Sequence, residues 1–137
     1  MLEENAIGKQ VVDAALKVHA ALGPGLLESV YEVFLARELS LRGLSVERQV
    51  PVRIDYEGVR FDEGFRADMI VEKKVLLELK SVEEITKVHH KQLLTYLRLR
   101  NLKLGFLLNF GTALMKDGIS RVVNGLKEEV PNKLTTH

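Results

Sequence analysis

Cysteine and tryptophan are both absent from this chain of 137 residues. Without thiols there is no disulfide framework, thiolate zinc site, cysteine-ligated iron–sulfur cluster or cysteine nucleophile. No apolar run approaches the length that spans a membrane, and the polar N-terminus is unlike a signal peptide. An excess of one charge is missing too, since 20 basic residues nearly balance 19 acidic ones. These absences predict a soluble cytoplasmic protein with a single domain over 1–125 and a C-terminal tail over 126–137.

The balanced total hides a division of charge along the chain. Up to Thr86 there are 11 basic and 16 acidic side chains, whereas from Lys87 onward there are 9 basic and 3 acidic. Between Lys87 and Lys103 five basic residues occur without an acidic one. Such a stretch is typical of a solvated helix face, and it also suits a polyanion, because phosphates respond to local positive charge. Charge alone leaves both interpretations open.

Hydrophobic periodicity predicts the element order α-α-β-β-β-α-β, followed by a small extra strand. The predicted helices cover 3–22, 26–41 and 87–100, and the predicted strands cover 45–56, 61–71, 75–81, 102–110 and 119–123. This order predicts the α/β class in its α+β form, with a mixed central sheet flanked by helices. On the second helix we expect the inward-facing residues to be Leu27, Val30, Phe34 and Leu41.

Polar residues interrupt two strands whose other residues are apolar. Glu78 and Lys80 are two apart, so both side chains leave the same face of one strand. The midpoint between Asp68 and Glu78 is residue 73, so a hairpin that turns there puts the two carboxylates opposite each other. Opposed carboxylates repel, and they become favourable when a divalent cation lies between them. An exposed ion pair is the plain alternative, but the apolar density of VLLELKS favours a buried strand, where charges need partners.

Two helical motifs add polar residues to this pair of strands. Gln92 and Tyr96 lie at i, i+4 on the third helix and share a face. Gly25, Glu28 and Tyr31 follow at spacings of three at the start of the second helix, where Gly25 allows close backbone approach. The plain alternatives are ordinary packing by Tyr96 and an N-terminal helix charge at Glu28.

Taken together, these residues resemble a known family. The segment Gly25–Tyr31, GLLESVY, matches the GxxExxY signature of a group of small bacterial proteins, which is similar to a compact branch of the PD-(D/E)XK nuclease superfamily. Asp68 followed by Glu78-Leu79-Lys80 matches the D…ExK core of that superfamily, and Gln92–Tyr96 matches the QxxxY motif of its exonuclease-like branch. The resemblance extends from residue 25 to about 123. Ala67 stands where the superfamily motif has its proline, and the missing cysteines separate this chain from relatives that hold an iron–sulfur cluster.

The resemblance implies a restriction-endonuclease-like core and a metal-dependent nuclease or phosphodiesterase that acts on DNA in preference to RNA. It implies Mg²⁺ or Mn²⁺ as the cofactor, held by Asp68, Glu78, the backbone carbonyl of Leu79 and Glu28. Lys80 would orient or deprotonate the attacking water and offset developing negative charge. The implied catalytic residues are therefore Asp68, Glu78, Lys80 and Glu28.

The implied substrate-binding residues all lie on the third helix. Gln92 and Tyr96 would position the nucleic-acid backbone, and Lys87 and Lys91 would attract its phosphates. We expect no membrane partner, and we expect any sequence specificity to come from a homodimer or a protein partner.

Two hypotheses from other classes stay open. One is a catalytically silent module that keeps the nuclease fold and binds nucleic acid or a partner. The other is a structural subunit of a larger repair or defence assembly. The intact carboxylates and Lys80 favour the enzyme, because a pure binder has little reason to gather acidic groups near phosphate.

Overall fold

The described part of the chain, residues 2–127 of a computed structural model, contains three α-helices and a five-stranded sheet. The helices are α1 (Glu4–Leu22), α2 (Glu28–Leu41) and α3 (Lys87–Arg100), and the strands are β1 (Val46–Tyr56), β2 (Val59–Val71), β3 (Val75–Lys80), β4 (Leu104–Asn109) and β5 (Ile119–Val123). A short 3₁₀ turn, Met115–Gly118, precedes β5. The predicted order of elements is confirmed. The tail predicted over 126–137 lies outside the described residues from 128 onward.

The sheet is mixed, as predicted, and its strands lie in chain order from β1 to β5. Only β3 and β4 among these strands pair in parallel, and α3 makes the crossover between them that a parallel connection requires. The other neighbours pair antiparallel. Pro51 lies on β1, which is an edge strand, where a missing N–H is tolerated.

Helices cover both faces of the sheet and create two apolar clusters. The larger cluster packs α1 and α2 against one face, with Val11, Leu35 and Leu77 among its fully buried members. The smaller cluster packs Leu93 and Leu97 of α3 against the opposite face. The fold is thus the predicted sheet between helical layers. No helix within residues 2–127 is long and apolar enough to cross a membrane.

The buried face of α2 differs from the predicted one. Leu27, Phe34 and Leu41 are 73%, 48% and 65% exposed, and Val30 is half-buried. The residues that α2 buries are Tyr31, Glu32, Leu35, Ala36 and Leu39. Apolar residues occur all round this helix, so their spacing does not select one face. The ring of Tyr31, stacked 4.4 Å from that of Phe110 after β4, is part of the packing that sets its rotation.

The chain that leaves β3 is clamped to the end of β4. The side-chain oxygen of Asn109 accepts N–H bonds from Val82 and Gly111, both at 3.0 Å, and its amide nitrogen donates to the Val82 carbonyl. Gly111 lies so close to the Val82 backbone that a Cβ there would collide with it. This clamp fixes the segment that directly follows Lys80.

Candidate active site

The strands β2 and β3 separate at the two predicted carboxylates. Their pairing covers Val71↔Val75, Ile70↔Leu76 and Met69↔Leu77 and then stops. The next residues in that register are Asp68 and Glu78, so the predicted turn centred on residue 73 is confirmed. Beyond this point β2 remains paired with β1, and β3 remains paired with β4.

The two carboxylates replace the missing backbone ladder with hydrogen bonds of their own. Asp68 Oδ2 accepts the N–H of Leu79 at 2.8 Å. Glu78 Oε2 accepts the N–H of Asp68 at 3.1 Å. Each side chain thus reaches across to the other strand, and together they hold the open end of the hairpin.

Regular alternation along β2 breaks at Asp68. Ala67 and Ile70 are three residues apart, yet both belong to the cluster under α3, whereas Met69 belongs to the opposite cluster. The pairing of β2 with β1 passes over Asp68 and the residue across from it, Gln49, whose φ is +51°. Such irregularities re-aim a side chain out of the strand pattern, and here that side chain is the carboxylate of Asp68.

Burial and mutual repulsion raise the pKa values of both carboxyl groups. Glu78 is 8% exposed, and burial followed by the charge of Asp68 raises its pKa from 4.5 to about 8. Burial also raises the pKa of Asp68, although the hydrogen bond from Leu79 and the charge of Lys80 act in the other direction. Neighbouring carboxyl groups that resist ionisation without a cation are typical of functional sites.

Lys80 lies at the end of β3 on the same face as Glu78, because the two residues are two apart on one strand. It is half-buried. No salt bridge within residues 2–127 involves Lys80, but its charge lowers the pKa values of Asp68 and Glu78. Its amine is therefore near the carboxylate pair and is not engaged in an ion pair there.

The carbonyl of Leu79 is directed into the same gap. The Leu79 N–H bonds to Asp68 on the β2 side, whereas the Lys80 carbonyl accepts the N–H of Phe110 on the β4 side at 2.8 Å. The N–H and C=O of one strand residue point toward the same neighbouring strand. The backbone carbonyl of Leu79, which the resemblance implies as a metal ligand, therefore borders the carboxylate pair.

Glu28 reaches the edge of this site from the first turn of α2. Its carboxylate accepts the N–H of Ser81 at 3.3 Å, and the Ser81 hydroxyl donates to the Leu26 carbonyl at 2.6 Å. Its charge contributes the smallest of the five influences on the pKa of Glu78. Glu28 is exposed, so it borders the carboxylate pair without belonging to its buried part.

The other two residues of the helical motif maintain the turn before α2. The Tyr31 hydroxyl donates to the Gly23 carbonyl and accepts the N–H of Leu26. Gly25 has φ of +88°, and nothing lies within 4 Å of the Cβ that it lacks. The expected close backbone approach at Gly25 is therefore wrong. Glycine is suited to this position by its left-handed conformation.

Tyr96 is a predicted substrate-binding residue that is close enough to the carboxylates for their charges to raise its pKa. Its ring stacks on Phe65, with the centroids 3.8 Å apart. Burial, followed by the charges of Glu78 and Asp68, raises the pKa of its hydroxyl. Tyr96 therefore joins α3 to the base of the β1–β2 hairpin, next to the site.

The remaining predicted substrate-binding residues lie on the open surface of α3. Gln92, one turn before Tyr96, is exposed, and so are Lys87 and Lys91. The helix begins with a reciprocal pair of hydrogen bonds between Thr86 and His89. These side chains are available to a ligand, and none of them takes part in the fold's core.

A polar group next to Asp68 was missed by the sequence interpretation. Glu32 is buried, and it accepts hydrogen bonds from Gln49 Nε2 at 2.6 Å and from Arg48 Nε at 3.0 Å. Its charge raises the pKa of Asp68. The i, i+4 spacing of Glu28 and Glu32 was the signal available in the sequence.

The carboxylate pair fits a divalent cation only in part. Asp68 and Glu78 supply oxygen donors, which hard cations prefer, and their raised pKa values mark a need for positive charge. However, no group of three or more acidic or histidine side chains within residues 2–127 is arranged to hold a metal ion. The predicted convergence of Glu28 with Asp68 and Glu78 into one ligand set is therefore not formed here.

Two concave surfaces of the molecule have volumes typical of ligand pockets. A groove of about 470 Å³ is lined by the segment 25–29 and Ser81, and it exposes Glu28. A larger cavity of about 610 Å³ lies between α1 and the β4–β5 pair, where Phe106 and Arg121 line it. Of the predicted site residues, Glu28 lines the first of these surfaces, and none lines the second.

Comparison with known proteins agrees with this geometry. Residues 5–122 match the PD-(D/E)XK nuclease superfamily, so the chain belongs to that superfamily, whose nucleases generally use divalent metals. A solved structure described as "Crystal structure of SSO0001" is similar with a TM-score of 0.51 and 21% sequence identity. The alignment covers 85% of this chain and 67% of that one, and at this identity the likeness concerns the fold. No curated protein matches the chain.

Proposed function

We propose that this protein is a metal-dependent nuclease that hydrolyses phosphodiester bonds in nucleic acid, with DNA as the favoured substrate. The observation that carries the proposal is the arrangement of Asp68 and Glu78, each bonded to the other's strand where β2 and β3 separate. Lys80 lies on the Glu78 face beside them. The sequence pattern of these residues resembles the D…ExK motif, and the chain belongs to the superfamily that carries that motif in its name.

In this proposal Asp68 and Glu78 hold a divalent ion together with the Leu79 carbonyl. A bound Mg²⁺ or Mn²⁺ supplies polarisation of the scissile phosphate and a water of lowered pKa. Lys80 orients the attacking water, or takes its proton, and its charge offsets the negative charge that develops on the phosphate. Glu28 extends the acidic site from α2, where it faces the groove beside Ser81.

The nucleic-acid backbone is proposed to lie along α3. Tyr96, next to the carboxylates, and Gln92, one turn away, position the phosphates by hydrogen bonds. Lys87 and Lys91 are exposed on the same helix and add electrostatic attraction. The exposure of these side chains leaves them accessible to a polyanion, although a solvated helix face would be equally open, so the carboxylate pair and not the helix carries the proposal.

A nicking assay on supercoiled plasmid, single-stranded DNA and RNA with Mg²⁺ or Mn²⁺ tests the proposal. Asp68→Asn and Lys80→Ala should abolish cleavage. Their matched controls, Asp62→Asn on the exposed part of β2 and Lys9→Ala on α1, should cleave like the wild type. Equal cleavage by wild type and Lys80→Ala would identify a contaminant and overturn the proposal.

A second candidate function is a module that binds nucleic acid or a protein partner and keeps the nuclease fold without turnover. It is favoured by the exposed Lys87 and Lys91 on α3, which can attract a polyanion without a metal ion. Binding of DNA that survives Asp68→Asn, with no cleavage by the wild type, would establish it. Membership of the GxxExxY branch, a cytoplasmic location and a homodimer or protein partner all stay predictions from the sequence.

A further inference from the structure

A hydrogen-bonded network links α2 to Asp68 through β1. Glu32, 6% exposed, is paired with Arg48 at 2.9 Å and accepts a hydrogen bond from Gln49 Nε2 at 2.6 Å. The same amide nitrogen of Gln49 lies 3.5 Å from Oδ1 of Asp68. One amide group therefore contacts a buried carboxylate on one side and a carboxylate of the site on the other.

The backbone of Gln49 adopts an uncommon conformation at this contact. Its φ of +51° lies in the left-handed region, which is uncommon for a residue other than glycine. The β1–β2 pairing continues on both sides of Gln49 and Asp68 and omits these two residues. Strain of this kind persists where the surroundings hold it in place, and it clusters at functional positions.

We infer that Gln49 is a positioning residue whose amide, anchored on Glu32, holds Oδ1 of Asp68 so that Oδ2 stays on the Leu79 N–H. An amide nitrogen has two N–H donors, which matches the two carboxylates that flank it. The 3.5 Å contact is long, as such contacts often are before a ligand binds. This inference rests on the proposed role of Asp68 as a metal ligand, since groups that orient a ligating carboxylate tune metal affinity.

Two substitutions at position 49 distinguish the effect of the side-chain amide from the effect of the backbone conformation. Gln49→Met removes the amide and keeps the length of the side chain. Gln49→Gly removes the amide and also relieves the left-handed conformation. Because Gln49 is exposed, both variants should fold, and circular dichroism checks this. Gln10→Met on α1 is the matched control, since Gln10 contacts Arg42 and not the site.

The first readout is hydrogen exchange of the Leu79 amide, which reports on its bond to Asp68 without metal or substrate. We expect its protection to fall about tenfold in both Gln49 variants and to stay unchanged in Gln10→Met. The second readout is Mn²⁺ affinity by calorimetry, which should fall about tenfold in the same two variants. A merely structural role for Gln49 would leave both readouts unchanged while the melting temperature moved.

Either of two outcomes would overturn the inference. One is a Leu79 amide in Gln49→Met that exchanges as in the wild type. The other is loss of protection in Gln49→Met with full protection in Gln49→Gly, which would assign the effect to the backbone. If Leu79 responds as expected but the wild type binds no Mn²⁺ and cleaves no nucleic acid, the positioning of Asp68 stands and the proposed function fails.

Discussion

The inner sheet, formed by β3 and β4, and the outer hairpin, formed by the parts of β1 and β2 that lie beyond Phe65, differ in how deeply their side chains are buried. The strands β3 and β4 are buried along almost their whole length, whereas the hairpin beyond Phe65 leaves Tyr56, Val59 and Phe61 at least 65% exposed. Asp68 and Glu78 lie at the boundary between these regions. The boundary provides enough burial to raise their pKa values, and it is the point where the pairing of β2 with β3 ends.

The largest effect is expected at the boundary itself. Glu78→Gln keeps the shape of the side chain and removes its negative charge, so cleavage should fall by on the order of 10³-fold while the fold is retained. Initial rates on plasmid DNA measure this. Glu63→Gln, in the outer hairpin, is the matched control and should keep wild-type rates. A Glu78→Gln protein with more than a tenth of the wild-type rate would contradict the assignment.

The next effect concerns the inner sheet. Leu77 is fully buried on β3 and points to the face opposite Glu78. Leu77→Ala should lower the free energy of unfolding by about 3 kcal/mol, because it removes apolar contacts and leaves a cavity. Urea denaturation measures this change. A loss below about 1 kcal/mol would show that β3 is less tightly packed than its burial indicates.

The stability of the protein should depend on pH through Glu78. Between about pH 4.5 and pH 8 the folded protein keeps the proton that the unfolded chain releases, since the folded pKa is raised to about 8. The unfolded state then binds fewer protons, so the free energy of unfolding falls as pH rises through this window. Below this window Glu78 is protonated in both states, and above it the destabilisation is complete and no longer changes with pH.

Melting temperatures measured without metal ions from pH 5 to pH 8 test this dependence. Glu78→Gln does not titrate, so its melting temperature should rise relative to the wild type by several degrees across the window. A constant difference between the two proteins would contradict the raised pKa. The melting temperature of the control Asp62→Asn should change with pH in the same way as that of the wild type.

The smallest effect is expected at the outer hairpin. Phe61 is 65% exposed, so Phe61→Ala should change the free energy of unfolding by no more than about 0.5 kcal/mol. Urea denaturation is again the measurement. A loss above about 1.5 kcal/mol would mean that this part of the hairpin is covered in solution, and the contrast with the inner sheet would then weaken.

The fold could be predicted where local signals agreed. The apolar runs on either side of Glu72-Lys73-Lys74 predicted the hairpin and its register, and α3 begins and ends where its pattern does, at Lys87 and Arg100. The face of α2 could not be predicted, because apolar residues surround that helix and its rotation is set by distant contacts such as the Tyr31–Phe110 stack.

The candidate site was predictable where alternation along β3 and the position of the β2–β3 turn sufficed. Alternation placed Glu78 and Lys80 on one face, and the turn position placed Asp68 opposite Glu78. The network of Glu32 and Gln49 depends on an irregularity in β1, and strand periodicity contains no signal for it. The position of Glu28 outside the buried pair could not be predicted, because it follows from how α2 packs.

The turn before α2, which the Tyr31 hydroxyl stabilises, affects how the helix signature should be interpreted in related sequences. Gly25 and Tyr31, two of the three fixed letters in GLLESVY, maintain the backbone ahead of α2, and Glu28 is the one of the three that brings a carboxylate to the groove. Under the proposed function, a chain that keeps this signature and loses the strand carboxylates would keep the scaffold and lose the activity. The proposal therefore makes Asp68 and Glu78, ahead of the helix signature, the residues to compare first among related sequences.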